Sequence, residues 1–124
     1  MVIENFYSVK SSAKEDGVYI TKVEINKDHD LYKGHFPNRP VTPGVVLMQL
    51  FKEEVERISK KKLQLVRANN VKFTAVCDPN NDPILSLESE IEEAGEFFKL
   101  KAMAKNKNGI VLKINSLYQE VKTN

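Results

Sequence analysis

Residues 34 to 44, GHFPNRPVTPG, set a histidine among three prolines and two glycines and lead directly into a run with helical periodicity. His35 is the proton-transfer group of this stretch, because imidazole titrates near neutral pH and in its neutral form can act as a base. Pro37, Pro40 and Pro43 fix φ and bias the residues before them toward extended backbone, which lowers the entropic cost of holding an imidazole in register. Gly44 brings a first-turn N–H to the positive end of a helix dipole with no side chain in the way, a donor suited to negative charge developing on an oxygen. The loop fixes a base beside a helix start.

Other chemistries find less support in the sequence. The 124 residues carry 19 basic and 17 acidic side chains, a net charge of +2 that gives nucleic-acid binding no bulk electrostatic basis. The segment Lys60, Lys61, Lys62 reads as a solvated helix end. Cys77 is the single cysteine, so no intrachain disulfide or Cys-rich metal site is expected, and His29 and His35 lack the spacing of a helical zinc pair. No metal or cofactor is called for. The opening residues MVIENFYSVKSS lack the pattern of a secretory leader and no run has the length of a membrane span, so a cytoplasmic protein is expected.

The elements that must position the loop follow from periodicity. One domain over 1–124 is expected from the length. Residues 17 to 27 alternate apolar and polar side chains through Val18, Ile20, Val23 and Ile25, the signature of a half-buried strand, with a preceding strand around Asn5 to Ser11 and AKEDG as the turn. From Pro43 the period changes. Leu47, Leu50, Phe51, Val55 and Ile58 share one helical face over 43 to 59, with Thr42 as N-cap and Pro43 as first helical residue. Val45, Val46 and Met48 suggest that the first turn is buried all round. Four further alternating runs, LQLVRANNVKFTAVCDP, PILSLESEIEEAG, EFFKLKAMAKN and GIVLKINSLYQEV, predict a meander of antiparallel strands. The pattern is α+β, a single helix burying its stripe against one curved sheet.

The stretch GHFPNRPVTPGVVLMQ resembles the signature of the hot-dog-fold β-hydroxyacyl-acyl carrier protein dehydratases, in which His-Phe-Pro-x-x-Pro-x-x-Pro-Gly opens the central helix; His35, Phe36, Pro37, Pro40, Pro43 and Gly44 all match. The similarity extends to DLYKG upstream and VKFTAVCDPNNDPILSLE downstream, roughly residues 16 to 90. It implies a long antiparallel sheet wrapped around one helix, a dimer, and elimination of water from 3-hydroxyacyl thioesters in fatty acid or related lipid or polyketide synthesis. By that resemblance His35 is the base, Gly44 the thioester-oxygen donor, and Phe36, Pro43 and Val45 line the substrate path. The family's N-terminal Pro-His-Arg-x-Pro segment has no counterpart in this sequence.

One position departs from the family in a way that bears on catalysis. The helix carboxylate that follows the histidine by fourteen residues is here Gln49. An amide orients a hydroxyl or a water but does not deliver a proton as a carboxylic acid does, a loss commonly worth about 100- to 10,000-fold. Glu53, one turn further along the same face, is expected among the substrate-binding residues, reaching in through a water. Four functional readings therefore remain open. The chain is a dehydratase acting on acyl carrier protein or CoA thioesters, as a homodimer or higher homo-oligomer. Alternatively it is an impaired partner subunit paired with an intact dehydratase, or a non-catalytic acyl-binding protein. A hot-dog thioesterase is the enzymatic rival. His29 and Arg39 read as surface residues, and Arg39 with Lys33 offers positive charge beside the loop to an acidic carrier protein.

Overall fold

The computed structural model describes residues 4–33 and 41–122. Six strands and one helix follow in the order β1 (Tyr7–Glu15), β2 (Val18–Ile25), α1 (Gly44–Ser59), β3 (Leu63–Phe73), β4 (Ile84–Ala94), β5 (Phe97–Asn106) and β6 (Gly109–Glu120), with a 3-10 turn at Asp30–Tyr32. All pairings are antiparallel and the sheet order is β1-β2-β4-β5-β6-β3. This is the hot-dog arrangement, a helix lying on one wrapped sheet.

The expected meander holds for β4 to β6. The strand expected beside β4, however, lies at the far edge: β3 pairs with β6, from Leu63 opposite Glu120 to Phe73 opposite Leu112. β3 also ends earlier than its apolar alternation suggests, because residues 74 to 83 form a loop held in part by Asp78 and Asp82 side chains. At the other end, β1 runs to Glu15 and the AKEDG turn shrinks to two residues. Asp16 and Gly17 both have positive φ, at 50° and 82°, which is the hairpin geometry that matches strand twist and that glycine adopts without strain.

Strand faces follow the period of two, broken where the β5–β6 register shifts and both Val111 and Leu112 are buried. On β2 the buried residues are Thr21, Val23 and Ile25, so Val18 and Ile20, which differ in parity, fall on the opposite face and remain half-buried. Thr21 and Val23 stand opposite Leu87 and Leu85, and the same face continues through Ala102 and Ala104 on β5 to Leu112 and Ile114 on β6. Small buried side chains at Ser89, Ala102, Ala104 and Ser116 hollow this face, and Leu47, Leu50, Phe51 and Val55 of α1 are buried with them.

The helix begins one residue later than the sequence suggests. Pro43, with φ −61° and ψ 145°, is the N-cap and makes no side-chain capping bond. Thr42 is instead drawn inward, its N–H bonding to the Cys77 carbonyl at 2.9 Å and its hydroxyl to that of Tyr32 at 2.7 Å. At the other end Lys60 closes the helix in the left-handed conformation, donating its N–H to Glu56.

One helix residue contradicts the simple stripe. Glu54 is 3 % exposed, and Arg57 answers it with two bonds, Nε to Oε1 at 2.8 Å and an NH2 group to Oε2 at 3.1 Å. The same guanidinium reaches Ser12 on β1 and Thr21 on β2, so it ties the first hairpin to the helix. Arg57→Ala strands a buried carboxylate. Full burial of both partners would cost 3–5 kcal/mol, and with the Arg57 side chain 40 % exposed the expected loss is about 2 kcal/mol, read as a lower urea midpoint at unchanged slope.

Candidate active site

His35 and Phe36 of the sequence-derived site, with Arg39, lie outside the described residues. The ends of their segment are on view. Tyr32 and Thr42 flank it, and their hydroxyls meet at 2.7 Å while Thr42 is fixed to Cys77, so both ends are fastened to the core. Burial pushes the Tyr32 hydroxyl up to about 12, keeping it protonated and able to donate. Sequence reading gave Thr42 to the helix and did not see this tie.

His29, expected at the surface, is a structural residue. Its Nδ1 accepts from the Leu31 N–H at 3.0 Å, its Nε2 meets the Glu4 carbonyl at 2.7 Å and so carries the proton, and its ring stands edge-on to Phe6. Lys33 pairs with Asp30 in solvent.

Pro43, Gly44, Val45 and Gln49 come together on the first turns of α1. Helical geometry leaves Gly44 and Val45 N–H without an intrahelical acceptor, whereas Val46 and Leu47 bond to the Pro43 carbonyl. The expectation of a first turn buried all round fails at Val45, which is 69 % exposed; Val46 and Leu47 are buried and Met48 is partly buried against the core. Beside them runs a groove of about 230 Å³, its apolar wall formed by Val45, Met48, Leu65 and Ile114 and its polar points by Gln49, Lys52, Ser116 and Tyr118.

Gln49 and Glu53 are neighbours in fact as well as in sequence. The Gln49 Nε2 donates to Glu53 Oε2 at 3.2 Å, and the Tyr7 hydroxyl donates to the other carboxylate oxygen at 3.2 Å. Burial, reinforced by the Glu53 charge, holds the Tyr7 hydroxyl protonated well above the usual tyrosine range. Tyr7 escaped the sequence reading, since nothing local links it to a helix residue 46 positions away.

Phe73, at the end of β3, is the second residue that was missed. A Cβ built on Gly44 would come within 2.5 Å of the Phe73 ring, so the ring lies directly over the helix start. The sequence hinted at this only through the match of VKF to the family's Lys-Phe strand. Phe73 is half exposed and can swing aside, so Gly44→Ala should change stability by less than about 1 kcal/mol yet displace the ring. If the first turn serves the reaction, turnover falls in Gly44→Ala and partly recovers in Gly44→Ala/Phe73→Ala, measured by steady-state rates alongside thermal melts.

A larger hollow of about 500 Å³ lies on the sheet face turned away from α1, lined by Arg67, Glu90, Glu92, Lys99 and Lys101 among others. Its charges stand in cross-strand opposition, Glu90 to Lys101 and Glu92 to Lys99, the usual neutralising pattern of a solvated face. Among the described residues no group of three or more His, Cys, Asp or Glu side chains has a metal-binding arrangement, and no helix is long and apolar enough to cross a membrane.

Comparison with known proteins agrees with this architecture. Among solved structures, the dehydratase heterocomplex ApeI:P from Xenorhabdus doucetiae is similar with a TM-score of 0.71 and 14 % identity, over 91 % of this chain and 97 % of that one. A hypothetical thioesterase with coenzyme A from Streptococcus pneumoniae TIGR4 is similar at 0.66 and 11 % identity, over 94 % and 87 %. At those identities the likeness establishes the hot-dog fold. A curated relative, the 3-hydroxyacyl-acyl-carrier-protein dehydratase FabZ of Variovorax paradoxus (strain S110), is 27 % identical over 92 residues, 65 % of this chain and 61 % of its own length. The chain thus spans less than two thirds of that relative. A family model described as ApeI-like, ApeI dehydratase, matches residues 10–111. With most of its length, from the first strand through the helix and into β6, accounted for by that model, the chain belongs to the ApeI-like dehydratase family.

Proposed function

We propose that the protein acts on 3-hydroxyacyl thioesters of acyl carrier protein or CoA, eliminating water to give the 2-enoyl thioester. The single observation that carries this is the apolar groove lined by Val45 and Gln49 on the first turns of α1, the helix that Gly44 opens immediately after the His-Phe-Pro loop. In this reading His35 removes the α-proton and then delivers it to the hydroxyl, so that the C–O bond breaks with release of water as the C=C forms, while the Gly44 N–H stabilises charge on the thioester oxygen. Gln49 orients the departing hydroxyl, with Glu53 behind it, and Phe36, Pro43 and Val45 contact the acyl thioester.

The groove of a single chain is smaller than the roughly 300–1,000 Å³ of ordinary ligand pockets, and its rim residues Val45 and Leu65 are 69 % and 46 % exposed. Both facts favour a site completed by a second chain. β3 is an edge of the sheet with Leu65 and Val66 exposed along it, the kind of edge that pairs with another strand. A homodimer is the simplest assembly. The amide at position 49 favours a second reading, in which the other chain is an intact homologue that supplies the missing acid.

The test is an assay of a crotonyl thioester with two simultaneous readings, enoyl absorbance and free thiol. Loss of absorbance without thiol release is expected. Thiol release matching substrate consumption would instead identify a thioesterase. Light scattering should give twice the mass of one chain, and a monomer would remove the shared site.

A further inference from the structure

We propose that the groove beside α1 holds a medium-length acyl chain bearing a neutral oxygen acceptor, a ketone or ether, about six bonds from the thioester carbon, where the Ser116 hydroxyl donates to it. The inference deepens the acyl-thioester reading of the groove and rests on it. Ser116 is 6 % exposed, and its Oγ has no hydrogen-bond partner among the described residues. A buried hydroxyl in that state has lost water without compensation, and native structures keep few of them. Its position says what can use it. Ile114, Ser116 and Tyr118 are alternate, buried positions of β6, and all three line the groove with Val45 and Met48.

The groove has a direction. Leu112 pairs with Phe73, whose ring lies over Gly44, and Glu120 pairs with Leu63, whose N–H bonds to the Glu56 side chain at 2.9 Å. β6 therefore runs from the start of α1 toward its end. Val45 and Ile114 mark the thioester end of the groove, and Lys52 and Tyr118 mark the far end. From Ile114 to Ser116 is two strand residues, about 7 Å. An extended chain covers about 3.5 Å in three bonds, so an atom about six bonds along stands at Ser116.

The groups at that depth select the acceptor. Tyr118 stands beside Ser116, and burial pushes its hydroxyl up, which keeps it protonated. A pair of hydroxyls shares one mutual hydrogen bond, so one O–H is left over to donate. Lys52 adds no net charge, since Glu56 is its partner at 3.8 Å. A ketone or ether oxygen supplies the missing acceptor with no charge to desolvate. A methylene supplies none, and a carboxylate carries a heavy desolvation cost.

The experiment is calorimetric titration of the full chain, in its native assembly, with amide-linked octanoyl-, 7-oxooctanoyl- and octanedioyl-pantetheine. The native protein should bind the 7-oxo analogue more tightly than the octanoyl one by at least about threefold, although the added carbonyl is costlier to take out of water. Ser116→Ala should move that ratio toward octanoyl by about tenfold, the scale of one lost hydrogen bond. Tyr118→Phe should move it the same way by a smaller factor. Because Ser116→Ala removes an unpartnered hydroxyl, its melting temperature should match or exceed the native one. A fall of several degrees would show the hydroxyl satisfied in the assembled protein and overturn the inference. An unchanged ratio in Ser116→Ala, or a native preference for octanoyl, overturns it as well and leaves the acyl-site reading intact. Octanedioyl bound more tightly than 7-oxooctanoyl overturns the neutral acceptor. Binding of none of the three overturns the acyl-site reading and the inference with it.

Discussion

His35→Ala is expected to lower hydration of a crotonyl-type thioester by at least about 100-fold, the usual scale for removal of a general base. The same imidazole is needed for both directions of the reaction by microscopic reversibility, so dehydration of the 3-hydroxyacyl thioester should fall in proportion. The anchoring of its segment makes this effect local. Tyr32 and Thr42 hold the flanks through a 2.7 Å hydroxyl pair that does not involve position 35, so the core should survive the change. Steady-state rates together with a melt separate the cases. Unchanged turnover would make His35 a structural residue and remove the proposed base.

Gln49→Glu is expected to raise the hydratase or dehydratase rate of the chain assayed alone by at least tenfold, about 1.4 kcal/mol of transition-state stabilisation. The geometry gives a specific reason. Gln49 Nε2 lies 3.2 Å from Glu53 Oε2, so the substitution brings two carboxyl groups into contact. Two like charges at that distance disfavour joint ionisation, and one proton is retained between them. A proton retained on the introduced carboxyl is the form a general acid needs.

A stability signature follows with a definite sign. A carboxyl whose folded pKa is raised binds more protons folded than unfolded, so its effect on stability becomes increasingly unfavourable as pH rises from its unfolded value of about 4.3. Relative to the native protein, Gln49→Glu should therefore be less stable at pH 8 than at pH 5, by denaturant titration at both. A variant with ordinary pH dependence and no gain in rate would show that position 49 is not a vacated acid. A gain that appears only on adding an intact homologous chain would favour the mixed assembly.

Much of this molecule is legible locally. The helix stripe Leu47, Leu50, Phe51 and Val55 is buried as its spacing requires, and β4, β5 and β6 follow their alternating runs. Parity corrected the reading of β2, because Val18 and Ile20 cannot share a face with Val23 and Ile25 in a regular strand. What could not be read was long-range. No local pattern says that β3 skips β4 to pair with β6, or that Tyr32 draws Thr42 off the helix cap. The same holds for the polar chain through Tyr7, Glu53 and Gln49 and for the burial of Glu54, a carboxylate in the helix whose partner Arg57 also serves two strands. Short motifs named the groove's first turn, and tertiary contacts decide how its side chains are turned.

The most direct test of the acyl-site claim is an amide NMR titration with the non-hydrolysable 3-hydroxybutyryl-pantetheine analogue. The account predicts saturable shifts concentrated at Gly44, Val45, Gln49 and Leu65, with Lys99 and Lys101 on the outer face unmoved. Shifts confined to the outer hollow around Glu90, Lys99 and Lys101, with the first turn of α1 unaffected, would contradict it.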